Sequence, residues 1–243
     1  MDETVKPYDT RGSKKEQVRT MFDRIAFRYD FLNRMLSFGV DTGWRRKVGK
    51  RVRQDRPGTI LDVAAGTGDL AVLLARTNPG ATVTGIDLSP EMLAVARRKA
   101  ARKKAANIVA LAEGDAENLP FADDSFDVVT VGFGVRNFEH PERGMKEICR
   151  VLKPGGKVYV LEFAMPRNRV FGAFYLFYFR KLLPFIGGTV SGEKKAYRYL
   201  QQSVEAFPWG DRFAALMEQA GFRENTQESV TGRLAILYRG VKA

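Results

Sequence analysis

The stretch from residue 59 to 163 constrains the fold of this chain more than any other. It reads as short apolar runs alternating with helical stretches: TILDVA then DLAVLLART, ATVTGIDL then SPEMLAVARRKAARK, IVALAEGD, FDVVTVGF then PERGMKEICRVL, and KVYVLEF after a turn at KPGG. Ser89 stands as an N-cap with Pro90 in the first turn of the helix it opens. Strands that alternate with helices are joined by crossovers, and crossovers cover both faces of a parallel sheet. The fold class expected is therefore α/β. Residues 14–56 read as helical, with apolar positions at Val18, Met21, Phe22, Ile25 and Phe27 and a turn around SFGVDTGW (37–44). After Phe163 the alternation stops, and 164–208 forms an aromatic-rich, mostly helical insertion. DRFAALMEQAGF then reads as a helix, and NTQESV and LAILYRGVKA as an antiparallel pair joined through Thr231 and Gly232. The expectation is one domain over 1–243, with 14–56 as a helical cap and 164–208 facing substrate and membrane.

Several function classes are disfavoured at once. The start, MDETVKPYDTRGSKKEQ, lacks the apolar core of a signal peptide, so a cytoplasmic protein is expected. Cys149 is the only cysteine and His140 the only histidine, which leaves no intramolecular disulfide and no Cys/His metal cluster. The formal net charge is +12, with basic runs at RRKVGKRVRQDR (45–56) and RRKAARKK (97–104). These suit anionic lipid or nucleic acid, but no RNA-binding or zinc-finger pattern accompanies them, so nucleic acid is not an expected partner. VFGAFYLFYFRKLLPFIGG (170–188) is too interrupted by Arg180, Lys181 and Pro184 to cross a bilayer, although it can lie on one.

The chemistry is expected where LDVAAGTGDL (61–70) runs from a strand through a glycine turn into a helix. Gly66 and Gly68 permit close backbone approach, and open N–H groups at a helix start favour an acceptor-rich ligand. Asp87 ends the next strand, where a carboxylate can accept both hydroxyls of a ribose. Asp115, after the third strand, is placed beside an adenine amino group, with the Ala116 backbone against the ring. The glycine turn by itself leaves NAD and S-adenosylmethionine both open.

LDVAAGTGD, GIDLSPEML, DAENLPFADDSFDVV and RVLKPGGKVYVLEF resemble the class I S-adenosylmethionine-dependent methyltransferases. More narrowly, FDRIAFRYDFLNRMLSFGVDTGWRR, FGVRNFEHPERGMKE, LEF and YRYLQQSVEAFP resemble the UbiE/MenG family, which C-methylates the ring of demethylmenaquinol or of a ubiquinone precursor. The resemblance implies a Rossmann-like, mostly parallel seven-stranded sheet with an antiparallel C-terminal strand. It implies S-adenosylmethionine as cofactor, with contacts falling on Thr67, Asp87, Asp115 and Ala116 around the Gly66 and Gly68 turn. Ala65 replaces the first glycine of the family's usual turn. Gly132 stands where members that also accept ubiquinone precursors tend to carry Ser, which favours demethylmenaquinol. A benzoquinol acceptor, or a non-catalytic scaffold that only binds the cofactor, are the alternatives.

A quinone ring is electron-poor, whereas a quinol that loses a proton pushes density onto its ring carbon. An unperturbed phenol titrates at about 10, so the site must stabilise the anion or take the proton during attack. Arg136 and Asn137, just past the fourth strand, are assigned to anion stabilisation and orientation of the quinol oxygen. Tyr29 and Asp30 cover the cofactor; Tyr197 and Tyr199 cover the quinol, and Tyr197 is taken into the catalytic set. His140 is read as a helix cap and Cys149 as core. The expected partners are a polyprenyl quinol and, transiently, an anionic membrane surface at the inner face of the cell membrane. A homodimer is the other association the aromatic run allows.

Overall fold

The computed structural model describes residues 5–8, 11–37, 39–105, 109–165 and 194–243. Two helices open the chain, α1 (Lys14–Leu36) and α2 (Asp41–Asp55). The alternating part follows as β1 (Thr59–Val63), α3 (Asp69–Thr77), β2 (Thr82–Asp87), α4 (Pro90–Arg102), β3 (Val109–Glu113), β4 (Phe126–Gly132), α5 (Pro141–Val151) and β5 (Leu152–Phe163). The C-terminal part holds α6 (Lys194–Ala206), α7 (Asp211–Gln219), β6 (Phe222–Val230) and β7 (Ala235–Lys242).

The strands form one seven-stranded sheet in the order β3-β2-β1-β4-β5-β7-β6. β1 to β5 are parallel, and β7 inserts antiparallel between β5 and β6. Chain order reverses at β1, between β2 and β4. Ligands of open α/β sheets bind beyond the carboxyl ends of the strands at such a point.

Period-two alternation decides which face each residue serves. Ile60 and Val128 pack with Trp44, Val48 and Leu74 under α2 and α3, while their neighbours Leu61 and Val129 pack with Met145, Ile148 and Phe213 under α5 and α7. A third cluster lies off the sheet: Val18, Met21, Ile25 and Ala26 of α1 meet Met92 of α4 and Ala196 and Tyr199 of α6. Each large side chain buried there contributes about 1.5–3 kcal/mol. The seam therefore holds α1 across the carboxyl edge of the sheet.

Two sequence expectations need correction. KPGG is not a turn preceding β5 but lies within it: Phe126 pairs with Leu152 and Val128 next pairs with Lys157, so the intervening residues bulge out, with Gly155 at φ 75. Phe27, grouped by periodicity with the buried positions of α1, is 88% exposed. The aromatic run 170–188 and most of the insertion lie outside the described residues, and the helical part that is described is α6. Among the described residues no helix is long and apolar enough to cross a membrane.

Candidate functional site

β1 delivers the chain into a turn with positive φ at alternate residues, Ala64 at 55, Gly66 at 56 and Gly68 at 77. A Cβ on Gly68 would lie 2.9 Å from that of Ala96, so close packing of the turn on α4 requires glycine there. Asp87, ending β2, fixes the turn from below. Its carboxylate accepts from Gly66 N at 2.7 Å and Ser89 N at 2.9 Å. Burial pushes this carboxyl up to about 6, against those two bonds.

Above the turn lies a cavity whose wall includes Gly66, Asp87, Asp115, Ala116 and Gly132. Its roof is α1, through Lys15, Val18 and Phe22. Lys15 reaches across to Asp115, Nζ to carboxylate 2.8 Å. A second cavity shares Phe22, Tyr29 and Asn137 with the first, and adds Met21, Ile25, Arg136, Ala196, Tyr199 and Leu200. The first wall carries several carboxylates. The second is mainly apolar, with amide, phenol and guanidinium groups among it.

Arg136 and Asn137 sit at this junction on a single 3₁₀ turn, Val135–Asn137. Arg136 Nη1 donates to Glu162 at 2.7 Å and to Phe133 O at 2.5 Å, and its guanidinium lies 5.3 Å from the Phe163 ring centroid. Its Nε has no partner. Tyr199 donates to Asn137 Oδ1 at 3.2 Å. Burial raises the phenols of both Tyr29 and Tyr199 above their ordinary value. Lys14 pins the turn from behind, its buried ammonium donating to Arg136 O at 3.0 Å and Phe138 O at 2.7 Å. Burial draws Lys14 down to about 8, against the pull of Glu117 and Glu139.

Of the expected cofactor residues, Gly66, Asp87, Asp115 and Ala116 line one cavity. Thr67 and Gly68 are not part of that lining. The Thr67 hydroxyl donates to Asp30 at 2.5 Å and accepts from Lys99 at 3.2 Å, while Lys99 also pairs with Asp30 at 2.7 Å and with Asp69. Burial alone would raise Asp69; Lys99 and Arg45 outweigh it and hold that carboxyl low. Asp30, expected over the cofactor, ties α1 to the turn and to α4. Tyr197 lies on α6, and its side chain falls outside what the structure describes. His140 occupies the N-cap position of α5, but its side chain makes no capping bond. Cys149 is buried in the core.

Three groups escaped the sequence reading. Glu162 and Asp62 are acids inside apolar strands, VYVLEF and TILDV, and that contrast was the available signal. Asp62 takes a 2.6 Å bond from Thr130, its Oδ2 has no partner, and burial lifts it to about 7. Lys14 gave no signal, since lysine at a helix start ordinarily faces water.

A family model described as the ubiE/COQ5 methyltransferase family matches residues 10–242. A demethylmenaquinone methyltransferase of Chlorobaculum parvum is 49% identical over 232 residues, covering 94% of this chain and 93% of that protein. The chain belongs to the ubiE/COQ5 methyltransferase family. The ubiquinone/menaquinone biosynthesis C-methyltransferase UbiE of Geotalea daltonii is 47% identical over 230 residues, covering 94% and 97%. Among solved structures, a SAM-dependent methyltransferase of Thermotoga maritima, described as a possible histamine N-methyltransferase, superimposes with a TM-score of 0.60 at 22% identity over 93% of this chain and 100% of that one. That likeness is one of fold, the class I methyltransferase sheet.

S-adenosylmethionine is the methyl donor of this class, and the ubiE/COQ5 cavity suits it: a glycine turn that leaves backbone exposed, a desolvated carboxylate at the end of β2, and Asp115 and Ala116 at the end of β3. The basic runs serve this family member partly within its own fold. Lys47 and Arg51 pair with Glu228 at 2.7 and 3.2 Å, and Lys99 is buried at the turn. Among the described residues no cluster of His, Cys, Asp and Glu could hold a metal ion.

Proposed function

We propose that this methyltransferase adds a methyl group to a ring carbon of demethylmenaquinol, giving menaquinol in the last step of menaquinone biosynthesis. The observation that carries the reading is a pair of adjacent cavities, the mainly apolar one and the turn-and-carboxylate one, which share Phe22, Tyr29 and Asn137 in their walls. The names of the close relatives, demethylmenaquinone methyltransferase among them, support the same acceptor.

In this reading Asp87 accepts the ribose hydroxyls, Asp115 and Ala116 hold the adenine, and the Gly66 backbone faces the methionine part of S-adenosylmethionine. Bound there, that molecule supplies an electrophilic methyl group. The protein's own task is to present an electron-rich ring carbon and keep water away. Met21, Phe22, Ile25 and Leu200 exclude water from the acceptor cavity. Asn137 orients the acceptor oxygen, itself oriented by Tyr199. Arg136, which lines the acceptor cavity, is assigned to stabilising the acceptor's oxyanion. Tyr29 and Tyr199 stay protonated at neutral pH because burial raises them, so they carry hydrogen bonds and do not take the acceptor's proton. Holding the acceptor in line supplies most of the acceleration, since good alignment is worth up to about 7–11 kcal/mol.

The acceptor carries a polyprenyl tail, so the protein meets a membrane surface peripherally to reach it. Purified protein, S-adenosylmethionine and demethylmenaquinone in detergent, with and without a chemical reductant, test the reading by mass spectrometry of the lipid. Gain of one methyl mass in the reduced sample supports it. Cofactor binding without transfer to this acceptor, but with transfer to a benzoquinol precursor, overturns the choice of ring.

A further inference from the structure

Helix α1 has two working faces. Val18, Met21, Ile25 and Ala26 on one side are buried, and Met21, Phe22, Ile25 and Tyr29 line the acceptor cavity. The opposite side carries Phe27 and Phe31, 88% and 62% exposed, the two large hydrophobic side chains that stand out in the solvent among the described residues. On the same side Arg24, Arg28 and Arg34 are exposed. Positions 24, 27, 28, 31 and 34 recur at spacings of three and four, so they form a single stripe along the helix.

We infer that this stripe is the surface by which the protein docks on an anionic lipid bilayer. Two aromatic rings between arginines match the interfacial zone of a membrane, where rings enter the headgroup boundary and guanidiniums meet lipid phosphates. The charge argues for lipid over a second copy of the chain. A two-fold interface would bring the stripe against itself and set arginines against arginines, whereas an anionic surface complements them and the overall charge of +12. The geometry also gives docking a purpose. The helix that lies on the bilayer is the helix whose other face lines the acceptor cavity, so an acceptor leaving the membrane has one helix thickness to travel. That purpose rests on the lipid acceptor proposed above; the surface itself does not.

The test is co-sedimentation of the full chain with phosphatidylcholine vesicles, with and without phosphatidylglycerol. The parent is expected to bind the phosphatidylglycerol vesicles, and less so as salt is raised. Phe27→Ser/Phe31→Ser is expected to bind about tenfold more weakly or worse, and Phe27→Leu/Phe31→Leu to regain most of the binding. Melting temperature and S-adenosylhomocysteine affinity should match the parent in both variants. Unchanged vesicle binding by the serine variant overturns the inference. So does a parent dimer that the serine variant splits, which would make the stripe a contact between copies, or a large drop in its melting temperature, which would make the stripe a covered part of the fold. Vesicle binding that follows these variants while no quinol is methylated would leave the docking surface standing and remove the proposed acceptor.

Discussion

Arg136 and Glu162 face each other at 2.7 Å inside the protein, the guanidinium side chain 5% exposed and the carboxylate not at all. Glu162 also accepts from Arg136 N at 3.3 Å and Phe163 N at 2.9 Å, so its position is fixed from three directions. The pair is close to neutral when seen from the acceptor cavity. In the role proposed for it, Arg136 serves the acceptor less as a free positive charge than as a hydrogen-bond donor. Electrostatic help of this kind depends on fixed dipoles rather than on net charge.

The two members should respond differently to single and double replacement. Glu162→Gln leaves a buried guanidinium uncompensated and is expected to cost about 3–5 kcal/mol of stability. Arg136→Met/Glu162→Met removes both charges and should recover most of that loss while methyl transfer stays abolished. Urea unfolding and turnover assays separate the outcomes. A double variant as unstable as Glu162→Gln would mean that the pair does more than neutralise itself.

Asp87 gives a dependence on pH for cofactor binding. Its carboxyl in the folded protein is raised to about 6, so it gains a proton as pH falls through that value and one oxygen stops accepting. Affinity for S-adenosylhomocysteine, measured by calorimetry, is expected to decline below about pH 6. Asp87→Asn should bind roughly tenfold to a hundredfold more weakly at neutral pH, as expected for loss of hydrogen bonds to a charged group, and should lack the acid decline.

Lys14 is a positioning residue for the 3₁₀ turn. Lys14→Met leaves the Arg136 and Phe138 carbonyls without their donor. The penalty of about 1–3 kcal/mol per buried unsatisfied group falls on stability, and a turn displaced by that loss is expected to lower kcat. KM for the cofactor should change little, and Lys14→Arg should restore part of kcat. Equal losses in kcat and cofactor affinity would show general damage to α1 instead.

Asp62 bears on stability. Its carboxyl is held at about 7 when folded, far above its ordinary value, so the folded state binds this proton more tightly than the unfolded chain. The contribution is full below about pH 4 and is lost as pH rises to about 7. Asp62→Asn should flatten that part of the curve of melting temperature against pH. A parent curve and a variant curve that run parallel would contradict the assignment.

Much of this was legible in the sequence because strand and helix periods are local. The alternation from residue 59 to 163 gave the parallel strands, and Ser89, Pro90 and the left-handed pair Thr231 and Gly232 marked ends that the backbone does place there. The first cavity was legible for Gly66, Asp87, Asp115 and Ala116, which topology alone gathers at one sheet edge. The bond from Thr67 to Asp30 was not legible, because the two lie 37 residues apart in the chain and pairing at that distance leaves no local pattern. Phe27 was misread for a related reason: a helical period tells which residues share a face, not whether a second face also carries apolar side chains. Glu162 and Lys14 acquire their roles only through burial against Arg136 and its carbonyl, which no spacing encodes.

The most direct test of the central claim is where the methyl group goes. The reduced acceptor would be incubated with S-adenosylmethionine bearing a trideuteriomethyl group, and the product examined by fragmentation mass spectrometry and NMR. The proposed reaction predicts the label on a ring carbon, and only when the acceptor is reduced. Label on an oxygen, or equal transfer to the oxidised quinone, would contradict the account of an aimed Arg136 and Asn137 acting on an electron-rich ring.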